Sequence, residues 1–229
     1  HRRAHRRAPP GGRCRRACAP VDSPRMCGRY VTGTDEHDWR SWARLLDLSI
    51  DVVPSDLPTM FVPTASVPIV RWEGAGPVLD TARWGLAPSW MDQPLAKPPQ
   101  YNVRAETAQV KFRKYFFRKR CLLPASGFWL RTGDGRDERA FVRVPGQPLF
   151  AFGGIWTERE LQRSEAGILA QTLRSCTILT IDADPSLGAV HERMPVILDP
   201  AAARRWLAPD AAFDELEALF RSHPPLALA

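Results

Sequence analysis

Apolar residues first recur at helical spacing between about 35 and 48, where Trp39, Trp42, Ala43, Leu45 and Leu46 form one stripe. Thr34 stands where an N-cap belongs. Prolines 54, 58 and 63 then punctuate a loop, and beyond them the pattern changes to short β-type runs. Segments 67–72, 78–84, 121–130, 140–144, 149–156 and 176–181 are rich in β-branched and aromatic residues and are separated by Gly- and Pro-containing turns, as strands are. Helical spacing returns at about 200–207 and 213–221. No internal repeat and no regular βαβ alternation is present. The pattern predicts an α+β domain built on antiparallel or mixed sheets with a few peripheral helices.

Composition changes this picture at the N-terminus. Residues 1–25 carry eight Arg and a single acid, Asp22, with almost no apolar pattern. They are expected to be a disordered extension. Three readings compete for it: a basic nucleic-acid tail, an Arg-rich transit peptide, and sequence upstream of a true start at Met26, which the composition break favours. The net charge of +7 resides there: from Met26 onward 24 of the 32 basic and 24 of the 25 acidic residues remain, so the globular part is neutral. Whole-chain charge is therefore no argument for nucleic acid. One domain is expected over 26–222, followed by a tail at 223–229. No apolar run approaches the roughly 20 residues of a membrane span. Five cysteines at irregular spacing, with no secretory segment before them, suggest free thiols in a cytoplasmic setting. Cys14 and Cys18 lack a second ligand pair at zinc-site spacing, and neither a metal nor another cofactor is expected.

Four segments could carry chemistry. In Met26-Cys27-Gly28-Arg29-Tyr30, loss of the methionine would make Cys27 the first residue. Its amine and thiol, with ordinary pKa values of about 8 and 8.5, would then sit on adjacent carbons. The amine can condense with an aldehyde and the thiolate can close on the same carbon to a five-membered thiazolidine, with the advantage of an intramolecular reaction. A buried structural cysteine is the plainer reading. Asn102 and Arg104 lie in Tyr101-Asn102-Val103-Arg104-Ala105-Glu106-Thr107, which by itself reads as a polar loop before a helix. Residues 111–120 interleave six cations with four aromatics. Arg113 and Arg118 suit phosphates there, while Phe112, Tyr115 and Phe116 at helical spacing suit a core, and both can hold at once. His191, one of three histidines after residue 26, precedes a Pro-containing apolar strand; it suits acid–base work near neutral pH or a structural role.

Taken in order, these segments resemble one family, the SOS response-associated peptidases, the abasic-site processing proteins of bacteria and eukaryotes. The marks are Met26 to Tyr30; Val62-Pro63-Thr64 with 67–71; Arg83-Trp84-Gly85-Leu86-Ala87-Pro88-Ser89-Trp90; 101–108; Arg120-Cys121-Leu122-Leu123-Pro124-Ala125; Ala151-Phe152-Gly153-Gly154-Ile155-Trp156; and 176–198. Each is weak alone, and seven in register are specific. The resemblance implies a β-clam around a central, positively charged cleft for single-stranded DNA. It implies a monomer that removes its own Met26 and links Cys27 to the ring-opened aldehyde of an abasic site. By motif position Cys27 is the nucleophile, Asn102 positions its amine, and His191 assists ring opening and proton transfer. Arg29, Trp84 and Arg104 would line the DNA groove, with Arg113 and Arg118 as further contacts.

Two positions depart from the family pattern. The family's catalytic glutamate falls on Leu130, which has no proton to exchange, and a common Asn falls on Met60. Glu106 already belongs to the motif in another role. Crosslinking is therefore expected to be slower, with reversal and Met26 removal impaired. The alternatives are a paralogue that only binds single-stranded DNA, and a cysteine peptidase using Cys27 and His191.

Overall fold

The computed structural model describes residues 28–33, 35–49, 59–95, 99–132, 139–161, 171–188 and 190–228. Cys27, Thr34, Pro54, Pro58 and the 1–25 extension lie outside them. The chain forms an α+β domain of two sheets. The first is antiparallel, with β1 (Tyr30–Val31), β2 (Met60–Phe61), β7 (Gly127–Arg131), β8 (Arg139–Arg143) and β13 (Ala227–Leu228) in the order β13-β8-β7-β1-β2. The second is mixed. It contains β3 (Ser66–Glu73), β4 (Gly76–Trp84), β5 (Asn102–Arg104), β6 (Arg120–Ala125), β9 (Phe150–Leu161), β10 (Gln171–Asp182), β11 (Arg193–Pro195) and β12 (Ile197–Leu198). Its pairings run β10-β4-β3-β6-β9, and β9 pairs β10 again, so this sheet closes on itself.

The second sheet is buried on both faces, which is why its strands read as near-continuous apolar runs. Val70, Leu122, Ala151 and Leu179 face one cluster, with Trp39, Trp42, Phe116 and Trp206 from the helices. Ile69, Cys121, Leu123, Phe152 and Ile178 face the other, shared with Tyr30, Phe61, Phe128 and Leu130 of the first sheet. The alternation along β6 sends Cys121 and Leu123 one way and Leu122 the other, as a period of two requires. Gly154 on β9 pairs with both Cys121 of β6 and Ile178 of β10. A Cβ there would lie 2.6 Å from the Thr177 carbonyl, so only glycine fits.

The helices cover the outer face. Helix α1 (Glu36–Leu45) is capped by Asp35, whose carboxylate accepts from the Asp38 N–H at 3.0 Å, in place of the expected Thr34. Trp39, Trp42, Ala43 and Leu46 are buried as expected, but Leu45 faces solvent at 52% exposure, one residue round the helix from Leu46. Helices α2 (Ala105–Lys111) and α3 (Arg113–Arg118) follow β5, and a single turn, α4 (Pro185–Gly188), follows β10. Helix α5 (Pro200–Leu207) opens on Pro200 behind an Asp199 cap, and α6 (Phe213–Leu219) closes the layer.

Two expectations need correction. The run 121–130 is not one strand: at Ser126 the chain leaves the barrel sheet as β6 and enters the first sheet as β7, a corner held by the Ser126 N–H on the Val31 carbonyl at 2.8 Å. The tail expected from residue 223 is structured in part, because Ala227 and Leu228 pair with Arg143 and Val142 at the edge of the first sheet. Among the described residues no helix is long and apolar enough to cross a membrane.

Candidate functional site

Strand β10 organises the candidate site. On one side it pairs in parallel with β5, with Ile178 opposite Asn102 and Thr180 opposite Arg104. Further along it pairs antiparallel with β11, with Asp182 opposite Arg193. Val103 is buried against the helical layer. Strand alternation therefore sends Asn102 and Arg104 to the opposite face, with Asn102 half-buried and Arg104 exposed. His191 lies in the turn between α4 and β11, where its own N–H donates to the Leu187 carbonyl at 3.0 Å.

The imidazole of His191 is buried at 8% exposure. Its Nδ1 accepts from the Arg193 backbone N–H at 3.0 Å, while Nε2 is buried with no hydrogen-bond partner among the described residues. Burial lowers its pKa from the ordinary value of about 6.5, and the neighbouring Glu192 charge opposes that shift. Arg193 ties this turn to the Asn102 segment. Its guanidinium donates to both Glu106 oxygens at 3.2 and 3.0 Å, to the Thr180 carbonyl at 2.7 Å, and to Asp182. Glu106 is thus occupied in an ion pair, four residues after Asn102, and Arg193 stands two residues after His191. The motif pattern had offered both segments, but nothing in the spacing signalled that one buried guanidinium joins them.

The start of β1 reaches the same region through packed rings. Tyr30 meets Trp84 edge-on at 5.2 Å, and Trp84 meets Tyr101 edge-on at 5.8 Å. The Trp84 Nε1–H donates to the Tyr101 carbonyl at 2.8 Å, immediately before Asn102. This corrects the expectation for Trp84. It has no exposed surface, and its only polar group is spent on the chain itself, so it is a packing residue and does not line a groove.

The other sequence-predicted cations are exposed. Arg29 precedes β1, and Arg113 and Arg118 project from α3, with the Arg113 guanidinium 4.8 Å over the Phe117 ring. Phe112, Tyr115 and Phe116 of the same stretch are buried, so its aromatics serve the core while its cations meet solvent. Arg120 departs from that division. It turns inward to donate to the Phe116 and Phe117 carbonyls at the end of α3 and to the Trp206 and Ala208 carbonyls at the end of α5. Four carbonyls at two helix C-termini suit a cation. Burial, with help from the Arg205 charge and against that of Asp210, brings its pKa down to about 10, still protonated at neutral pH. A run of basic residues gives no hint that its last member is a staple.

Leu130 and Met60 occupy the two departing positions. Leu130 is fully buried in the cluster shared by the sheets, opposite Ala140 across β7 and β8. Met60 is exposed on the edge strand β2. Cys27 lies outside the described residues. Among the described residues there is no group of three or more His, Cys, Asp and Glu side chains placed to hold a metal.

Comparison with known proteins gives a consistent result. The profile of the SOS response associated peptidase (SRAP) family matches residues 26–228. The chain is 30% identical over 188 residues to the abasic site processing protein YedK of Escherichia coli, covering 80% of this chain and 79% of that one. It is 30% identical over 151 residues to the abasic site processing protein YoqW of Bacillus subtilis, of whose length the match spans 65%. It is 31% identical over 155 residues to the abasic site processing protein HMCES of Xenopus tropicalis, of which it spans 45%. Among solved structures, a protein of Bacteroides thetaiotaomicron superposes with a TM-score of 0.71 at 21% identity, over 88% of this chain and 91% of that one. One from Bordetella bronchiseptica gives 0.69 at 23% identity, over 89% and 99%. At those identities the likeness speaks for the fold.

Proposed function

The chain belongs to the SOS response associated peptidase family, and on that footing we propose that it processes abasic sites in single-stranded DNA through a covalent bond to Cys27. The family relatives named as abasic site processing proteins support the general reaction. The observation that carries the reading for this chain is the junction at β10, where the buried Arg193 guanidinium, paired with the exposed Glu106 carboxylate, links the Asn102 segment to the His191 turn. Cys27 stands three residues before Tyr30, within roughly 10 Å of chain length, and Tyr30 is packed through Trp84 to Tyr101.

In the proposed sequence Met26 is first removed by the protein itself. Asn102, with an amide that both donates and accepts, holds the freed amine. The abasic sugar opens to its aldehyde with His191 at the ring oxygen. The amine adds to the aldehyde carbon and water leaves as the Schiff base forms. The thiolate then closes on that carbon, giving a thiazolidine and shielding the lesion from strand cleavage. Arg29 and Arg104, with Arg113 and Arg118 farther along, neutralise phosphates of the bound strand. Any tail before Met26 must be absent or removed, because a preceding peptide bond occupies the amine.

One observation favours a second reading, a protein that binds single-stranded DNA without turning it over. Leu130 fills the position of the family's acid and is sealed in apolar packing. Denaturing gels of Met26-start protein with abasic single-stranded DNA separate the two. The expected result is a crosslinked band, absent in Cys27→Ala, weaker in Asn102→Ala, with DNA affinity kept in both variants. Binding of equal strength with no band in the unaltered protein would establish the second reading.

A further inference from the structure

We infer that His191 works as a neutral hydrogen-bond donor through Nε2–H, its tautomer fixed by the Arg193 backbone amide and that amide held in place by the Glu106–Arg193–Asp182 clamp. What the donor acts on rests on the abasic-site reading; the tautomer does not. A ring nitrogen that faces an N–H presents its lone pair, and Nδ1 of His191 faces the Arg193 N–H at 3.0 Å. The proton of the neutral ring is therefore on Nε2. Forming the imidazolium would set two N–H groups against each other and break this bond.

The amide has little freedom to turn away. Arg193 is registered against Asp182 in the β10–β11 ladder. Its buried guanidinium is gripped by Glu106, Thr180 and Asp182 from α2 and β10. Among the described residues, Glu192 on its own turn acts on the ring, the Arg193 charge is met by Glu106 and Asp182, and Asp184 lies 3.3 Å from His223. The Glu192 charge favours a cation. Burial works against the cation and lowers the pKa of His191.

A neutral imidazole does not give up its Nε2 proton near pH 7. It stabilises the negative charge that develops on the sugar ring oxygen as the C1′–O4′ bond breaks and its electron pair moves to that oxygen. The C1′ hydroxyl releases its proton as the carbonyl forms, and water relays a proton to O4′. Hemiacetal and aldehyde are isomers, so atoms balance and His191 ends as it began. Glu106 and Arg193 are positioning residues in this scheme, since they act through the imidazole.

The test combines a spectrum with a rate. In the free Met26-start protein, nitrogen-15 spectra of the three imidazoles, assigned by single His→Gln variants, report the tautomer without DNA. The expected His191 signal at pH 7 is neutral with the proton on Nε2; an Nδ1–H tautomer or an imidazolium overturns the inference. Glu106→Ala should give a mixed tautomer signal and crosslinking roughly tenfold slower, with DNA affinity unchanged and with Glu106→Gln restoring most of both. Unaltered tautomer and rate in Glu106→Ala would remove the clamp from the account. His191→Gln supplies an amide N–H in place of Nε2–H and should stay within about tenfold of the unaltered rate. A proton shuttle would lose about 10²–10⁴-fold there, and a loss of that size would overturn the donor role. If the protein forms no crosslink at all, the spectrum still decides the tautomer, and only the abasic-site reading falls.

Discussion

Leu130 packs without exposure in the cluster between the sheets, at the position where the family resemblance places a glutamate. A carboxylate there would be desolvated, so its pKa would rise and it would fold most readily when protonated. The sign follows from linkage: with the folded pKa above the unfolded value of about 4.3, stability is lost as pH rises between the two. Leu130→Glu is therefore expected to be less stable than the unaltered protein, and by more at pH 7 than at pH 4.5, in denaturant titrations at both values. The same variant should form and reverse the crosslink faster on denaturing gels if the missing acid limits both steps. Equal rates would show that Leu130 limits neither step. The cysteines make a second residue-scale prediction. Burial holds the Cys121 and Cys176 thiols well above their ordinary range, so neither supplies thiolate near neutral pH. Alkylation of folded Met26-start protein at pH 7.5 should label Cys27 alone, by peptide mass mapping; label on Cys121 or Cys176 would contradict their burial.

At the scale of elements, the α2–α3 segment shows how one stretch serves two ends. Phe112, Tyr115 and Phe116 are core while Lys111, Arg113, Lys114 and Arg118 are surface, so the stretch supports both readings at once, with Arg120 as the exception. If Arg113 and Arg118 each neutralise one phosphate, replacing both by Gln should reduce the slope of log affinity against log salt by about 1.4 for single-stranded DNA. An unchanged slope would take α3 out of the interface. The strand pattern was legible because two-sided burial leaves apolar runs, and the last two helices because their stripes are regular. The break at Ser126 was not, because both strands continue the same apolar texture and differ only in which sheet receives them. Trp84 was misread because a motif position says where a residue lies along the chain, while a hydrogen bond to Tyr101 decides which way its ring faces. Arg120 and Arg193 were hidden for the same reason: charge predicts exposure until enough acceptors gather around it.

For the whole molecule, the closed mixed sheet provides a rigid base, with helices on one face and the antiparallel sheet across the other. The proposed chemistry sits where β10 extends beyond its pairing with β9 and takes β5 and β11 as partners. On the proposed function, Cys27, freed of Met26, becomes covalently joined to the aldehyde of an abasic site. Intact mass of Met26-start protein, before and after incubation with a single-stranded oligonucleotide carrying one abasic site, tests it most directly. The expected result is a free protein lighter by one methionine and an adduct equal to that protein plus the oligonucleotide less one water, absent in Cys27→Ala. Retention of Met26 together with no adduct, or an adduct undiminished in Cys27→Ala, would contradict it.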